Sequence, residues 1–301
     1  MPRNCESGSN AKGLRRPGTG YTVPRPAVPG IRWPAVPALG DAYVLALLHQ
    51  LEQSEWWPPA ALLAHQLRQL ENLLVHAVRT VPFYRARLNV LAPLRRGQLT
   101  REAWRRIPIM TRGDIQDAGE NLMSRALPKD HGRVSDGSTS GSTGQPISFK
   151  RTRITGLFFA ALNLRYHLWH GRDLSATVCA IHPLRRKPQR EASEQDRPLP
   201  WAPVYRTGRM YFLDSRVPVG EQFDWLFRHE PRHLLTQPSN LRALIQYSRK
   251  TGGAPRGLSQ VSTLSEIVDP VLRDDCAQAW GAAVCDVYSC EELGMIAIQC
   301  P

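Results

Sequence analysis

Side chains able to bind or react are densest in Ser135-Asp136-Gly137-Ser138-Thr139-Ser140-Gly141-Ser142-Thr143-Gly144-Gln145-Pro146. Glycines at 137, 141 and 144 let the backbone take φ > 0 and approach a ligand closely. Hydroxyls at 138, 139, 140, 142 and 143 add donors beside free backbone N–H groups. A concavity of such donors suits a polyphosphate. Two better-known cradles do not fit the spelling. A Walker A loop needs G-x-x-x-x-G-K-[ST], and the dinucleotide fingerprint needs G-x-G-x-x-G. A flexible Ser/Gly linker has a similar composition. Linkers, however, rarely end in Gly-Gln-Pro followed at once by a strand-like Ile147-Ser148-Phe149.

A phosphate loop needs rigid elements to hold it, and the chain has the material for them. With 301 residues, 42% of them apolar, it can form one large domain or two smaller ones. Helical spacing predicts a helix over 41–57 and a stronger one over 59–81. In the second, Leu63, Leu67, Leu70, Leu74, Ala77 and Val81 form a stripe that reads as ordinary core packing. Pro82 should end it. Thr111 reads as the N-cap of a helix over 112–122. After the loop we expect a strand over 147–150, an amphipathic helix over 155–170 and a buried strand over 176–182. An Arg- and Pro-rich surface loop then covers 183–203, and a short helix 223–229. Leu234 opens a strand that runs into a helix at Ser239 or Asn240. A strand over 261–264, a helix over 267–279 and a strand over 284–287 complete the series. Strands alternating with helices indicate an α/β fold with mostly parallel sheets flanked by helices. The expected organisation is a disordered or draped Pro/Gly/Arg-rich arm over 1–37, a helical region over 38–130 and an α/β nucleotide-binding core over 131–301.

Bulk properties narrow the partners. The chain carries 39 Lys and Arg against 26 Asp and Glu, a formal net charge of +13. The excess is mostly arginine and is scattered, with no basic run interleaved with aromatics, so a nucleic-acid partner is not expected. ATP and coenzyme A are also polyanions that a positive field would favour. No apolar run approaches the length of about 18 residues that a membrane span needs, and no apolar stretch near the N-terminus reads as a secretory leader. The six cysteines, at 5, 179, 276, 285, 290 and 300, are too few and too spread for a disulfide scaffold and fit a reducing cytoplasm. Cys276, Cys285, Cys290 and Cys300 contain no C-x-x-C pair. Buried free thiols are the default for them, and zinc stays open.

The spelling T-S-G-S-T-G-x-P over 139–146 resembles the phosphate loop of the adenylate-forming, acyl-CoA synthetase-like superfamily. Two upstream segments narrow the resemblance. Pro82-Phe83-Tyr84-Arg85 and Pro108-Ile109-Met110-Thr111-Arg112-Gly113-Asp114 are similar, in order and spacing, to stretches of the phenylacetate-CoA ligase and CapK-like branch. Pro238-Ser239-Asn240-Leu241 matches a further turn of that branch, and Asp286-Val287-Tyr288-Ser289-Cys290-Glu291-Glu292-Leu293-Gly294 stands where the family has D-x-Y-G-x-T-E-x-G. The resemblance covers about residues 65–301 and implies the N-terminal core of such a ligase. It implies ATP and Mg²⁺ as cofactors, coenzyme A for a second step, and a small-molecule carboxylic acid as substrate. Ser138, Thr139, Ser140, Gly141, Ser142, Thr143 and Gly144 would hold the β- and γ-phosphates, with Thr143 acting in catalysis. Tyr288 would pack by the adenine between Asp286 and Ser289, and Glu292 would bind Mg²⁺. Ser289 replaces the family Gly and Glu291 the family Thr. A carboxylate at 291 would need a cation to offset it beside an α-phosphate. The acidic cluster 286–292 also reads as a solvated strand-to-loop turn. Glu266 stands at a family position near the adenine and reads equally as a helix N-terminal Glu after a Ser cap. The family's ribose-binding Asp, hinge Arg and catalytic Lys are not expected before Pro301. The alternatives to a ligase core are thus a truncated or degenerate non-catalytic fragment, and a half-enzyme completed by a partner chain, with a homodimer also open.

Overall fold

The computed structural model describes residues 23–88, 99–139, 146–184 and 200–301. These form two compact units. The first comprises Leu45–Phe159 with Cys290–Gly294, and the second comprises the chain up to Val44, Ala160–Ser289 and Met295–Pro301.

Helix α1 (Leu39–Ser54) is followed by the helices of the first unit: α2 (Pro59–Thr80), α3 (Pro82–Arg87), α4 (Arg101–Arg105) and α5 (Arg112–Ala118). The stripe on α2 is core, as its spacing requires: Leu67, Leu70 and Leu74 pack with Val78, Tyr84, Leu88, Leu99, Ala103 and Ile107. Val81 is extended at φ −112°, ψ 111° because the following proline disfavours helical backbone. Pro82 does not end regular structure, however. It starts α3 at the first helical position, where its missing N–H is not needed. Thr111 caps α5 in a reciprocal box with Asp114, each side chain accepting from the other's backbone N–H. That helix is shorter than its sequence suggests. Gly119 at φ 46° breaks it, and Gly119–Leu122 continues as a 3₁₀ turn.

Strands β1 (Val134–Ser138) and β2 (Ser148–Thr152) form a two-stranded antiparallel ladder of their own, from Val134↔Thr152 to Ser138↔Ser148. The phosphate-loop segment is therefore the connection of a hairpin and not a strand-end loop of a parallel sheet. A connection of this length cannot make the crossover that parallel strands need.

Helix α6 (Arg153–Trp169) leads into the second unit. Its strands are β3 (Val178–His182), β4 (Met210–Asp214), β5 (His233–Thr236), β6 (Gln260–Thr263), β7 (Ala283–Cys290) and β8 (Gly294–Ile298), with helices α7 (Val219–His229), α8 (Pro238–Thr251) and α9 (Pro270–Trp280) between them. The sheet order is β4-β3-β5-β6-β7-β8, and every pairing from β4 to β7 is parallel. Strand β8 follows β7 after Glu291–Leu293, a link short enough only for antiparallel neighbours. Leu234 and Val261 from the sheet pack with Leu226, Leu241, Leu244, Ile245 and Leu272 from the helices in one apolar core. Helix α8 starts one residue earlier than expected, at Pro238, with Gln237 as its N-cap. Of the expected surface loop over 183–203, residues 185–199 lie outside the described residues, and Trp201 near its end is buried. It is 7% exposed, and its Nε1–H donates to the Ala176 carbonyl at 3.1 Å. Among the described residues, no helix is long and apolar enough to cross a membrane.

Candidate functional site

The hairpin is built to close the mouth of its loop. Thr139 N–H donates to the Ile147 carbonyl at 2.9 Å, and Ile147 N–H donates to Thr139 Oγ1 at 3.1 Å. Thr139 thus already spends acceptor capacity on holding the two strands together. Ser138 pairs with Ser148 one step below. Ser140, Gly141, Ser142, Thr143 and Gly144 lie outside the described residues. Gly137 faces Phe149 across the ladder, and a Cβ at 137 would meet Phe149 Cε2 at 2.3 Å. Only glycine lets that ring lie over the strand. Lys150 and Asp136 form a cross-strand pair at 2.8 Å, and the hydrogen bond and charge of Asp136 raise the Lys150 ammonium above its ordinary value.

Arg151 links this hairpin to the acidic segment 140 residues further along the chain. Its guanidinium carbon sits 4.8 Å from the centroid of the Phe149 ring. Its Nη2 donates to the Glu291 backbone carbonyl and lies 3.2 Å from Glu291 Oε2. The cation that a carboxylate at 291 would need is therefore supplied from β2. Gly294 at φ 83° ends the turn, and a Cβ there would meet Phe159 Cδ2 at 2.6 Å. Glu292 is half-buried and makes no hydrogen bond or ion pair with a described residue.

The second unit gathers another group of candidate residues at the carboxyl ends of its strands. Thr236, Thr263 and Asp286 stand side by side in the register of β5, β6 and β7. Asp286 Oδ1 accepts from Thr263 Oγ1 at 3.0 Å, and Asp286 N–H donates to Gln299 Oε1 at 3.1 Å. Tyr288, two residues on, is 66% exposed, and Ser289 is half-buried. Glu266, in the loop after β6, accepts from Ser239 N–H and Ser239 Oγ, each at 2.8 Å. It satisfies a first-turn N–H of α8 and favours that helix end electrostatically. Ser239 therefore receives its cap from a distant carboxylate and is not itself the cap.

The donor set fits Mg²⁺ carried by a nucleotide. Among the described residues, no three His, Cys, Asp or Glu side chains gather as a metal site. Mg²⁺ is usually held by one or two carboxylates plus substrate phosphates, with no protein cage. Glu292 offers one uncommitted carboxylate of the right hardness. The sequence places Phe149 in a strand and leaves Arg151 just beyond its expected end, and nothing local says which segment either side chain will meet.

No protein-family model matches the chain, and no curated protein matches it. Solved structures do. A 2-hydroxyisobutyryl-CoA ligase in an open conformation, in complex with 2-HIB-AMP and CoA, aligns at TM-score 0.57 with 20% identity, covering 77% of this chain and 54% of that one. The same ligase in its thioesterification state aligns at TM-score 0.58 with 19% identity, covering 80% and 52%. In its postadenylation state with 2-HIB-AMP it aligns at TM-score 0.57 with 20% identity, covering 77% and 49%. This chain spans about half the length of those ligases and shares their fold over that half. The expected α/β fold, with a mostly parallel sheet flanked by helices, is the architecture found.

Proposed function

We propose that this chain is the ATP-handling part of an adenylate-forming acid–CoA ligase of the phenylacetate-CoA ligase-like branch. One oxygen of a substrate carboxylate attacks the α-phosphorus of ATP. The bond to the bridging oxygen breaks, pyrophosphate leaves with that electron pair, and an acyl-adenylate forms. The chemistry asks little covalent work of the protein, so positioning and charge stabilisation carry it. Ser138 to Gly144 hold the β- and γ-phosphates, with Thr143 following the leaving pyrophosphate. Glu292 would hold Mg²⁺, which would neutralise charge on the phosphates. Tyr288 offers its exposed ring to the adenine, flanked by Asp286 and Ser289. Glu266 acts by fixing the start of α8. In a second step the thiol of coenzyme A takes the acyl group and AMP leaves. A reducing cytoplasm suits the five cysteines among the described residues, none of which is in a disulfide.

One observation carries this reading. The turn that bears Glu291 and Glu292 packs in the same compact unit as the phosphate-loop hairpin and is held there by Arg151. Calorimetric titration with ATP, with and without Mg²⁺, tests it. Loss of one charge-assisted contact should weaken MgATP binding by about tenfold or more in Glu292→Gln, with metal-free ATP little affected. Pyrophosphate exchange over a panel of carboxylic acids then tests the chemical step. No binding of MgATP by the intact chain, or equal binding by Glu292→Gln, would overturn the site. Binding without exchange would leave this chain a nucleotide-binding role only.

A further inference from the structure

The first unit holds a cavity of about 520 Å³ walled by residues of α2, α3, α4 and the segment after α4. Leu74, Ala77, Leu88 and Ile107 contribute apolar wall, and Arg87 and Arg105 contribute guanidinium groups. Among the described residues, none that lines the cavity belongs to the hairpin or to the turn at 290–294.

The two arginines differ. Arg87 is matched: its Nη2 donates to the Ile109 carbonyl at 2.6 Å and lies 3.3 Å from Asp114 Oδ2. Its Nε–H is nevertheless buried with no acceptor among the described residues. Arg105 is exposed and makes no hydrogen bond or ion pair with a described residue, although its charge acts on Glu102. The cavity thus combines an apolar wall with one unmatched cation at Arg105. Its volume lies within the range of small-ligand pockets.

We propose that this cavity binds an amphipathic monocarboxylic acid. Its apolar body lies against Leu74, Ala77, Leu88 and Ile107, and its carboxylate accepts from Arg105. A single negative charge is favoured because Asp114 already neutralises Arg87. The second charge of a phosphate head would face that carboxylate without compensation.

Calorimetry on the full chain, with no nucleotide or Mg²⁺ present, tests this apart from the ligase reading. The probes are decanoate, decanol and decyl phosphate. We expect decanoate to saturate one site and to bind more tightly than either of the others. Arg105→Gln should weaken decanoate by about tenfold and leave decanol unchanged. Ala77→Trp fills the cavity and should abolish binding of both. Leu73→Glu guards against misfolding, because Leu73 lines the cavity and is 61% exposed; it should likewise remove decanoate binding, with the melting curve unchanged. The proposal fails if decanoate shows no saturable binding, or if these substitutions leave it intact. It fails equally if decyl phosphate binds more tightly, or if an amphipathic helical peptide occupies the cavity where decanoate does not.

Discussion

Arg172 is 3% exposed and has no carboxylate partner among the described residues. Its fork is satisfied by neutral groups instead. Nε donates to Gln260 Oε1 at 2.9 Å, Nη1 meets His167 Nδ1 at 2.8 Å, and Nη2 donates to Ser262 Oγ at 2.7 Å. The Tyr166 ring lies 4.0 Å from the guanidinium carbon and adds a cation–π contact. A permanent buried cation makes further positive charge costly nearby. Burial, and then the charge of Arg172, holds His167 well below its ordinary value and lowers His170. The same two causes bring His233 down from 6.5 to about 4. On acidification the unfolded chain therefore binds protons before the folded one does. The linkage sign follows: stability is full above pH 6.5 and falls as the pH drops towards about 4. Urea titrations at a series of pH values should show this acid limb. His233→Gln should flatten it by roughly 3 kcal/mol, and an unchanged slope would refute the assignment.

At the scale of elements, the β1–β2 hairpin and its hold on the 290–294 turn make two contrasting predictions. The Arg151–Glu291 pair is exposed, with side chains at 39% and 58%, so it adds little to stability. Its role is positional. Arg151→Gln should shift the unfolding free energy by less than about 1 kcal/mol and still weaken MgATP binding several-fold in calorimetry. A parallel loss of both would make the pair merely structural. Gly137→Ala acts differently. Its methyl would lie 2.3 Å from Phe149, so the ring must swing away from the strand and from Arg151. We expect a cost of about 1–3 kcal/mol, together with weaker nucleotide binding, because the platform under Arg151 moves. Wild-type affinity in Gly137→Ala would show that the ring can relocate freely.

At the scale of the whole molecule, each unit has an apolar core of its own. Leu241 is completely buried in one, and Leu74 is 7% exposed in the other. Truncating either to alanine should cost about 2–5 kcal/mol. Differential scanning calorimetry should resolve two transitions, with Leu241→Ala lowering only the one that belongs to the sheet and Leu74→Ala only the other. A single transition lowered by both substitutions would mean that the units unfold together.

The features legible in the sequence are local. The stripe on α2, the Thr111 cap of α5 and the strand after the Ser/Thr/Gly loop follow from spacing and side-chain chemistry within a few residues. So does the alternation of strands and helices after 176, which is enough for a mostly parallel sheet. The edge strands β4 and β8 were not legible. Met210–Asp214 and Gly294–Ile298 are five residues each, and they become strands because a neighbour offers them backbone partners. Only folding revealed that Glu266 caps α8, that Trp201 is buried and that Gln260 and Ser262 hold Arg172. It also decided that Arg151 meets Glu291. These contacts join residues far apart in the chain, and neither period nor propensity carries information over such distances. The candidate site was therefore readable as two motifs, while the side chain that ties the acidic turn to the hairpin emerged only when the chain was folded.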